Sequence, residues 1–188
     1  MTENFFKKSG FTLVELLVVI AIIGLLASVT VVAVNGARAK ARDAKRHTDI
    51  KAIQTALQQY YEANGRYPAS GGSIIPGRSE WTLSNDSSWA SLQTALAPYM
   101  ARVPIDPAQT AGWLFTGSHA YAYNARFQDW FSQCGNGQGY VILYRLEIAK
   151  DPDPGTKTCA AGPVLRWGDA EPDPITTFMK TVGNRQNN

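Results

Sequence analysis

The chain has 188 residues, of which 45% are hydrophobic and 18% are charged, and this composition excludes an intrinsically disordered protein. Its net charge of +3 is too small to argue by itself for binding to nucleic acid. Two cysteines and two histidines, without a Cys-x-x-Cys pair, argue against a zinc site.

The amino-terminal region combines a polar leader, residues 1–10 with Lys7 and Lys8, and an apolar run, residues 11–34, whose one charge is Glu15. As a helix this run spans about 36 Å, enough to cross a bilayer. An ordinary secretory signal has a shorter apolar region, of about 7–15 residues, with its cleavage site behind it. We therefore interpret residues 11–34 as an anchor that stays with the protein, and we expect any cleavage to fall after Gly10.

The stretch KKSGFTLVELLVVIAIIGLLA resembles the processing motif of type IV prepilins and type II secretion pseudopilins. The resemblance implies that a prepilin peptidase cuts between Gly10 and Phe11 and methylates the new N-terminus at Phe11. It also implies that Glu15 acts in assembly by pairing with the terminal amine of a neighbouring subunit. The implied partners are copies of the chain and other pilins, the peptidase, an inner-membrane assembly platform and, before assembly, membrane lipid.

Glu15 also stands out on physical grounds. An ionisable side chain within an apolar span costs a few kcal/mol unless it is paired, so it is a functional candidate by default. Cleavage would create an ammonium group on Phe11, one helical turn away, and the pair can form within the chain or between chains. The alternative is a carboxylate that reaches the lipid headgroups.

The helix is predicted to continue well beyond the apolar run. The first proline is Pro68, and Ile50, Ile53, Leu57 and Tyr60/Tyr61 recur at helical spacing. Asn64-Gly65 supplies a stop signal. We predict one helix from Phe11 to Asn64, in which residues 35–64 are amphipathic and bury one face against a domain.

A cluster of basic residues follows the apolar run: Arg38, Lys40, Arg42, Lys45 and Arg46. Counting Lys and Arg would place this side in the cytoplasm, whereas the cleavage motif places the leader there; we follow the motif. Asp43 and Asp49 lie nearby and no aromatic residues are interleaved. We therefore favour a solvated or inter-subunit-paired helix face over binding to DNA or to anionic headgroups.

Residues 65–167 are predicted to form a globular head, and residues 168–188 a loose tail. A short helix is expected over Ser87–Tyr99, and Pro98 should end or kink it. Strands are expected at Trp113–Thr116, His119–Asn124, Tyr140–Glu147 and Pro163–Trp167, with a hairpin turn at Gly117-Ser118. The predicted fold class is α+β: a long amino-terminal helix packed against a small antiparallel sheet, as in pilins.

Cys134 and Cys159 are the only two cysteines and fall in the part of the chain predicted to lie outside the cytoplasm. We expect a disulfide between them in an oxidising compartment. The alternative is two separate free thiols.

No catalytic motif is present, so an enzyme is not predicted. Asp151 and Asp153 are weak candidates for calcium, but Gly155 and Gly162 occupy positions where an EF-hand has ligands, so a turn without a cofactor is preferred. The five tryptophans are expected in the core rather than on a sugar-binding surface.

These observations favour a structural subunit of an extracellular type IV pilus-like filament. Before assembly the subunit would cross the bacterial inner membrane once, with a cytoplasmic N-terminus. The first alternative is a pseudopilin in a periplasmic filament of a type II secretion system. The second is a membrane-tethered binding or enzymatic domain with a prepilin-type anchor.

Overall fold

The computed structural model describes residues 12–114, 117–125, 137–148, 156–157, 164–165 and 179–185. Its first element is helix α1, Leu13–Asn64, which confirms the predicted long helix. Gly65 ends it with a φ of 68° and donates its N–H to the carbonyl of Tyr61 at 2.7 Å. This left-handed cap is open to glycine because glycine has no Cβ.

The chain divides into two compact units, Met1–Arg38 and Ala39–Asn188. Within the described residues, the first unit consists of Thr12 and the part of α1 that ends at Arg38. The second contains the rest of α1, helix α2 and all the strands. These elements are α2 (Trp89–Leu96), β1 (Thr82–Leu83), β2 (Ala122–Asn124), β3 (Gly139–Arg145), β4 (Thr156–Lys157), β5 (Val164–Leu165) and β6 (Met179–Arg185).

Within the described ranges the strands form two antiparallel sheets. The larger has the order β1-β2-β3-β6, and the smaller pairs β4 with β5. In the larger sheet Ile142 of β3 lies opposite Tyr123 of β2 on one side and Val182 of β6 on the other. One long helix and a small antiparallel sheet give the predicted α+β class.

The core of the second unit lies on both faces of β3. Tyr140, Ile142 and Tyr144 join a cluster that includes Ile53 and Leu57 of α1, and this confirms the predicted alternation. The remaining cluster members from α1 and α2 are Ile50, Ala56, Trp89, Leu92 and Leu96.

The opposite face of β3 is also covered. Val141 and Leu143 pack in a second cluster with Trp81, Trp113 and Leu114. The rings of Trp81 and Trp113 meet edge to face, with their centroids 5.2 Å apart. Trp81, Trp89 and Trp113 are thus core residues, as predicted, and Trp130 and Trp167 lie outside the described residues.

The predicted strand at Trp113–Thr116 is wrong for its first two residues. Trp113 and Leu114 are consecutive and both pack in the same cluster, whereas a strand would point them to opposite faces. Consequently Gly117-Ser118 does not join two strands. Gly117, with a φ of 90°, closes a turn by donating its N–H to the carbonyl of Leu114 at 3.1 Å.

The prediction of a loose tail is wrong for residues 179–185, which form β6 and pair with β3 along its whole length. The sequence of β6, MKTVGNR, lacks apolar alternation. An edge strand does not require that pattern, because main-chain hydrogen bonds to one neighbouring strand can hold it in place. Val182 packs against the core that faces α1. Residues 168–178 and 186–188 lie outside the described residues.

The other predicted elements are present with shorter bounds. Helix α2 lies within the predicted Ser87–Tyr99 and ends at Leu96, before Pro98. Strands β2, β3 and β5 lie at three of the predicted strand positions. Neither β1, which has two residues, nor β4 was predicted from the sequence.

Candidate functional site

The apolar part of α1 presents its large side chains to the outside of the subunit. Exposure runs from 79% at Leu13 to 40% at Val34. Among the described residues, α1 is the one helix whose length and composition would let it cross a membrane. Because burying one such side chain yields about 1.5–3 kcal/mol, this surface requires cover by lipid or by other helices.

Glu15 caps the start of this segment together with Thr12. The Glu15 carboxylate accepts hydrogen bonds from the Thr12 N–H and the Thr12 hydroxyl, both at 2.8 Å. In return the Glu15 N–H donates to the Thr12 hydroxyl oxygen at 3.2 Å. This reciprocal pair is a capping box, and the helix dipole favours a negative charge in this position.

The capping box places the carboxylate of Glu15 at the amino-terminal end of the apolar segment. Here it satisfies main-chain and hydroxyl donors that the helix itself leaves unpaired. Thr12 was not among the predicted site residues, although the Thr-x-x-Glu spacing ahead of an apolar run is a recognised capping signal.

A second polar site lies in the other unit, around Arg46, which is fully buried. The Arg46 guanidinium donates to both Asp106 carboxylate oxygens, from Nε at 2.7 Å and from Nη2 at 3.0 Å. Its Nη1 lies 2.6 Å from an Asp43 oxygen and 2.8 Å from a Glu147 oxygen. Three carboxylates therefore surround one cation.

These carboxylates also hold the backbone. Asp43 accepts the N–H groups of Glu147 and Ile148, at 2.9 Å each, just after β3 ends. Asp106 accepts the N–H of Ala108 at 2.8 Å. The cluster thus fastens α1 to the segment after β3 and to the loop that follows α2.

Arg42 completes the cluster at its more exposed edge. Its Nε donates to Glu147 at 2.7 Å, and its Nη2 donates to the other oxygen of the same carboxylate. Hydrogen bonding from Arg42, reinforced by Arg46, lowers the pKa of Glu147 to about 2. Glu147 is therefore ionised throughout the physiological range.

A neighbouring chain of contacts extends from Lys45 through Asp49 to Tyr121. The Lys45 ammonium lies 2.8 Å from Asp49, and the Tyr121 hydroxyl donates to the same carboxylate at 3.0 Å. Burial, with Asp49 close by, raises the pKa of Tyr121 well above its usual value. The phenol therefore stays protonated as a donor.

The structure corrects our interpretation of the basic cluster as a solvated or inter-subunit-paired face. Arg42, Lys45 and Arg46 pair with carboxylates of their own chain. The i,i+3 spacing of Asp43 and Arg46 offered a local signal for part of this network. Asp106 is 60 residues from Arg46, and only the fold brings the two together.

Several predicted site residues lie outside the described residues, so the predictions for them stay as they were. They are Gly10 and Phe11 of the processing site, the cysteines Cys134 and Cys159, and the aspartates Asp151 and Asp153. Across the part of the chain that is described, no group of three or more His, Cys, Asp and Glu side chains is arranged to hold a metal ion.

Comparisons with known proteins point to one family. Residues 5–31 match the family model described as the prokaryotic N-terminal methylation motif. The chain is 45% identical over 64 residues to the type II secretion system core protein G of Aeromonas hydrophila, a segment covering 34% of this chain and 45% of that protein.

Two further relatives show the same pattern. The type II secretion system core protein G of Escherichia coli is 45% identical over 64 residues, 34% of this chain and 44% of that protein. The type IV major pilin PilA of Myxococcus xanthus is 34% identical over 61 residues, 32% of this chain and 28% of that protein. The chain thus spans less than half the length of these relatives, and no solved structure matches it.

The methylation motif, residues 5–31, includes the start of the capped apolar helix. By this motif and these relatives, and with a fold of one long helix and a small antiparallel sheet, the chain is similar to type IV pilins and type II secretion pseudopilins.

Proposed function

We propose that the chain is a structural subunit of a type IV pilus-like filament. The observation that carries the proposal is the exposed apolar segment of α1, which is headed by the capped carboxylate of Glu15. Lipid would cover this segment before assembly, and the same segments of other copies would cover it in the filament.

The proposed sequence of events begins with insertion in the inner membrane, with the leader in the cytoplasm. A prepilin peptidase then cuts between Gly10 and Phe11 and methylates Phe11. The assembly platform moves the subunit into the filament, where Glu15 meets the terminal amine of a neighbouring copy. The Thr12 contacts hold the carboxylate at the end of the helix where that amine would arrive.

A pseudopilin of a type II secretion system is the second candidate function. It is favoured by the relatives themselves, since the two secretion proteins named above reach 45% identity against 34% for the pilin. A pilus subunit should appear in fibres sheared from the cell surface. A pseudopilin should instead be required for the secretion of exoproteins, without surface fibres at native expression.

The test of the proposal is filament formation by variants of Glu15. Glu15→Ala should insert and be cleaved normally, because removing a charge lowers the cost of membrane insertion. Sedimentable filaments should nevertheless be lost. Glu62→Ala, at an exposed position near the end of α1, is the matched control and should assemble as wild type does. Normal filaments built from the Glu15→Ala subunit alone would refute the role of Glu15.

A further inference from the structure

We propose that Arg38 and Lys40 bind the phosphate groups of phospholipids while the subunit is held in the membrane. The inference rests on the proposed function, because it requires the apolar segment of α1 to lie in a bilayer. It concerns the unassembled subunit and names the contact that the membrane offers just beyond that segment.

Arg38 and Lys40 differ from the basic residues that follow them on α1 in their ion pairing. Arg42, Lys45 and Arg46 form ion pairs with carboxylates of their own chain, on α1 and just after β3. Arg38 and Lys40 are exposed, and neither forms an ion pair with any residue in the ranges that the structure describes. Two cations beyond the apolar run thus remain available to an external anion.

Arg38 and Lys40 also lie at a suitable distance from the end of the apolar run. Arg38 follows Val34, the last residue of the apolar run, by four positions, which is about 6 Å along a helix. Residues 13–34 span roughly the 30 Å hydrocarbon core of a bilayer, so Arg38 and Lys40 would lie at the headgroups. Their long side chains can keep the charged ends among the phosphates.

The directions in which Arg38 and Lys40 leave the helix favour lipid over other partners. Two positions apart on an α-helix means about 200° of rotation, so Arg38 and Lys40 leave the helix on opposite sides. A protein or DNA partner docks against one side of a helix. Side chains three or four positions apart suit such a partner better, because they lie on the same face. Lipid surrounds a single helix, and alanines at 37, 39 and 41 leave room around both cations.

The test uses the full chain, purified as an unassembled subunit in detergent, with lipid retention measured by native mass spectrometry. The probes are phosphatidylglycerol and phosphatidylcholine with the same acyl chains. Phosphatidylglycerol should bind more tightly, and the double variant Arg38→Gln/Lys40→Gln should weaken it by about tenfold or more. Lys51→Gln, an exposed change further along α1, is the matched control and should have no effect.

Two further measurements distinguish the proposed lipid contact from misfolding and from binding of free phosphate. The exchange Arg38→Lys/Lys40→Arg keeps both charges and should retain lipid binding, which separates loss of charge from misfolding. Millimolar inorganic phosphate should not displace the lipid, because the apolar segment holds the acyl chains beside the cations.

Three results would overturn the proposal. The first is equal phosphatidylglycerol binding by wild type and the double glutamine variant. The second is an equal loss in Lys51→Gln. The third is a duplex DNA that binds wild type but not the double variant while lipid binding is unchanged. Because no filament is needed, failure of assembly would contradict the proposed function without affecting this measurement.

Discussion

Arg46 is the side chain through which α1 holds the head. It is buried among Asp43, Asp106 and Glu147, and each of these carboxylates also has another partner in the chain. Desolvation of a buried ion pair offsets much of its attraction, so such a network specifies geometry more than it adds stability. Removing one partner, however, leaves charges buried without compensation.

We therefore expect Arg46→Met to destabilise the head by about 3–5 kcal/mol, because two buried aspartates lose their cation. Urea unfolding of the full chain in detergent, followed by tryptophan fluorescence, measures the change. Arg38→Met, at an exposed site on the same helix, is the control and should change the free energy of unfolding by less than about 0.5 kcal/mol. Equal effects of the two substitutions would contradict the assigned role of Arg46.

Glu147 makes the stability of the head sensitive to acid. The pKa of its carboxyl is about 2 in the folded chain, against an ordinary value of 4.5. The folded state therefore binds fewer protons between these values. The stabilisation is present above about pH 4.5 and is lost as the pH falls towards 2.

In Glu147→Gln the free energy of unfolding should be lower at neutral pH and should fall less steeply between pH 4.5 and 2 than in wild type. Urea titrations at several pH values measure both. Glu62→Gln, at an exposed site, serves as the control and should keep the wild-type slope. An unchanged slope in Glu147→Gln would show that the acid sensitivity arises elsewhere.

The two cysteines carry a prediction that stays open to experiment. We expect Cys134 and Cys159 to be bonded in the exported chain, closing a loop of about 25 residues that is worth about 3–4 kcal/mol on the chain-entropy model. Thiol labelling of the denatured, unreduced protein should find no reactive thiol. Two reactive thiols per chain would mean that the bond is absent, and a dimer on non-reducing gels would mean that it joins two chains.

Among the secondary-structure elements, β6 has the most testable role. It covers the edge of β3, whose N–H and C=O groups would otherwise be left without strand partners on that side. Deleting residues 179–188 should therefore lower the unfolding temperature and promote aggregation. Deleting only residues 186–188, which follow β6, is the matched control. Equal behaviour of both deletions in a thermal melt would contradict the pairing.

The helices were predictable from sequence because their signals are local. Ile50, Ile53 and Leu57 repeat at helical spacing, and Asn64-Gly65 marks the end of α1. Strands depend on partners distant in the chain. Thus β6 has little apolar pattern of its own, and Trp113 and Leu114 resemble a strand but turn to one side of the core.

The same distinction applies to the candidate site. The processing signal and Glu15 lie in one short motif. The same motif contains the capping partner Thr12, so its contact with Glu15 could have been predicted. Arg46 was visible only as one member of a basic cluster. Its burial depends on Asp106 and Glu147, which no sequence spacing connects to α1.

At the scale of the whole molecule, the two parts of α1 differ in what they contact. In the proposed function, lipid and then other copies of the helix would cover the exposed apolar part. The amphipathic part is committed to the head through Ile53, Leu57 and Arg46. All of this assumes that the leader is removed, since a retained leader would block the terminal amine that Glu15 is proposed to meet.

The most direct measurement is therefore the mass of the amino-terminal peptide from filaments that contain this chain. We predict that filaments sedimented from cells expressing the chain and its assembly system yield a peptide that begins at Phe11 and carries one methyl group on its terminal nitrogen. Filaments whose subunits retain Met1, or begin after Ala27, would contradict the account, as would a cleaved chain found only in the membrane and never in a filament.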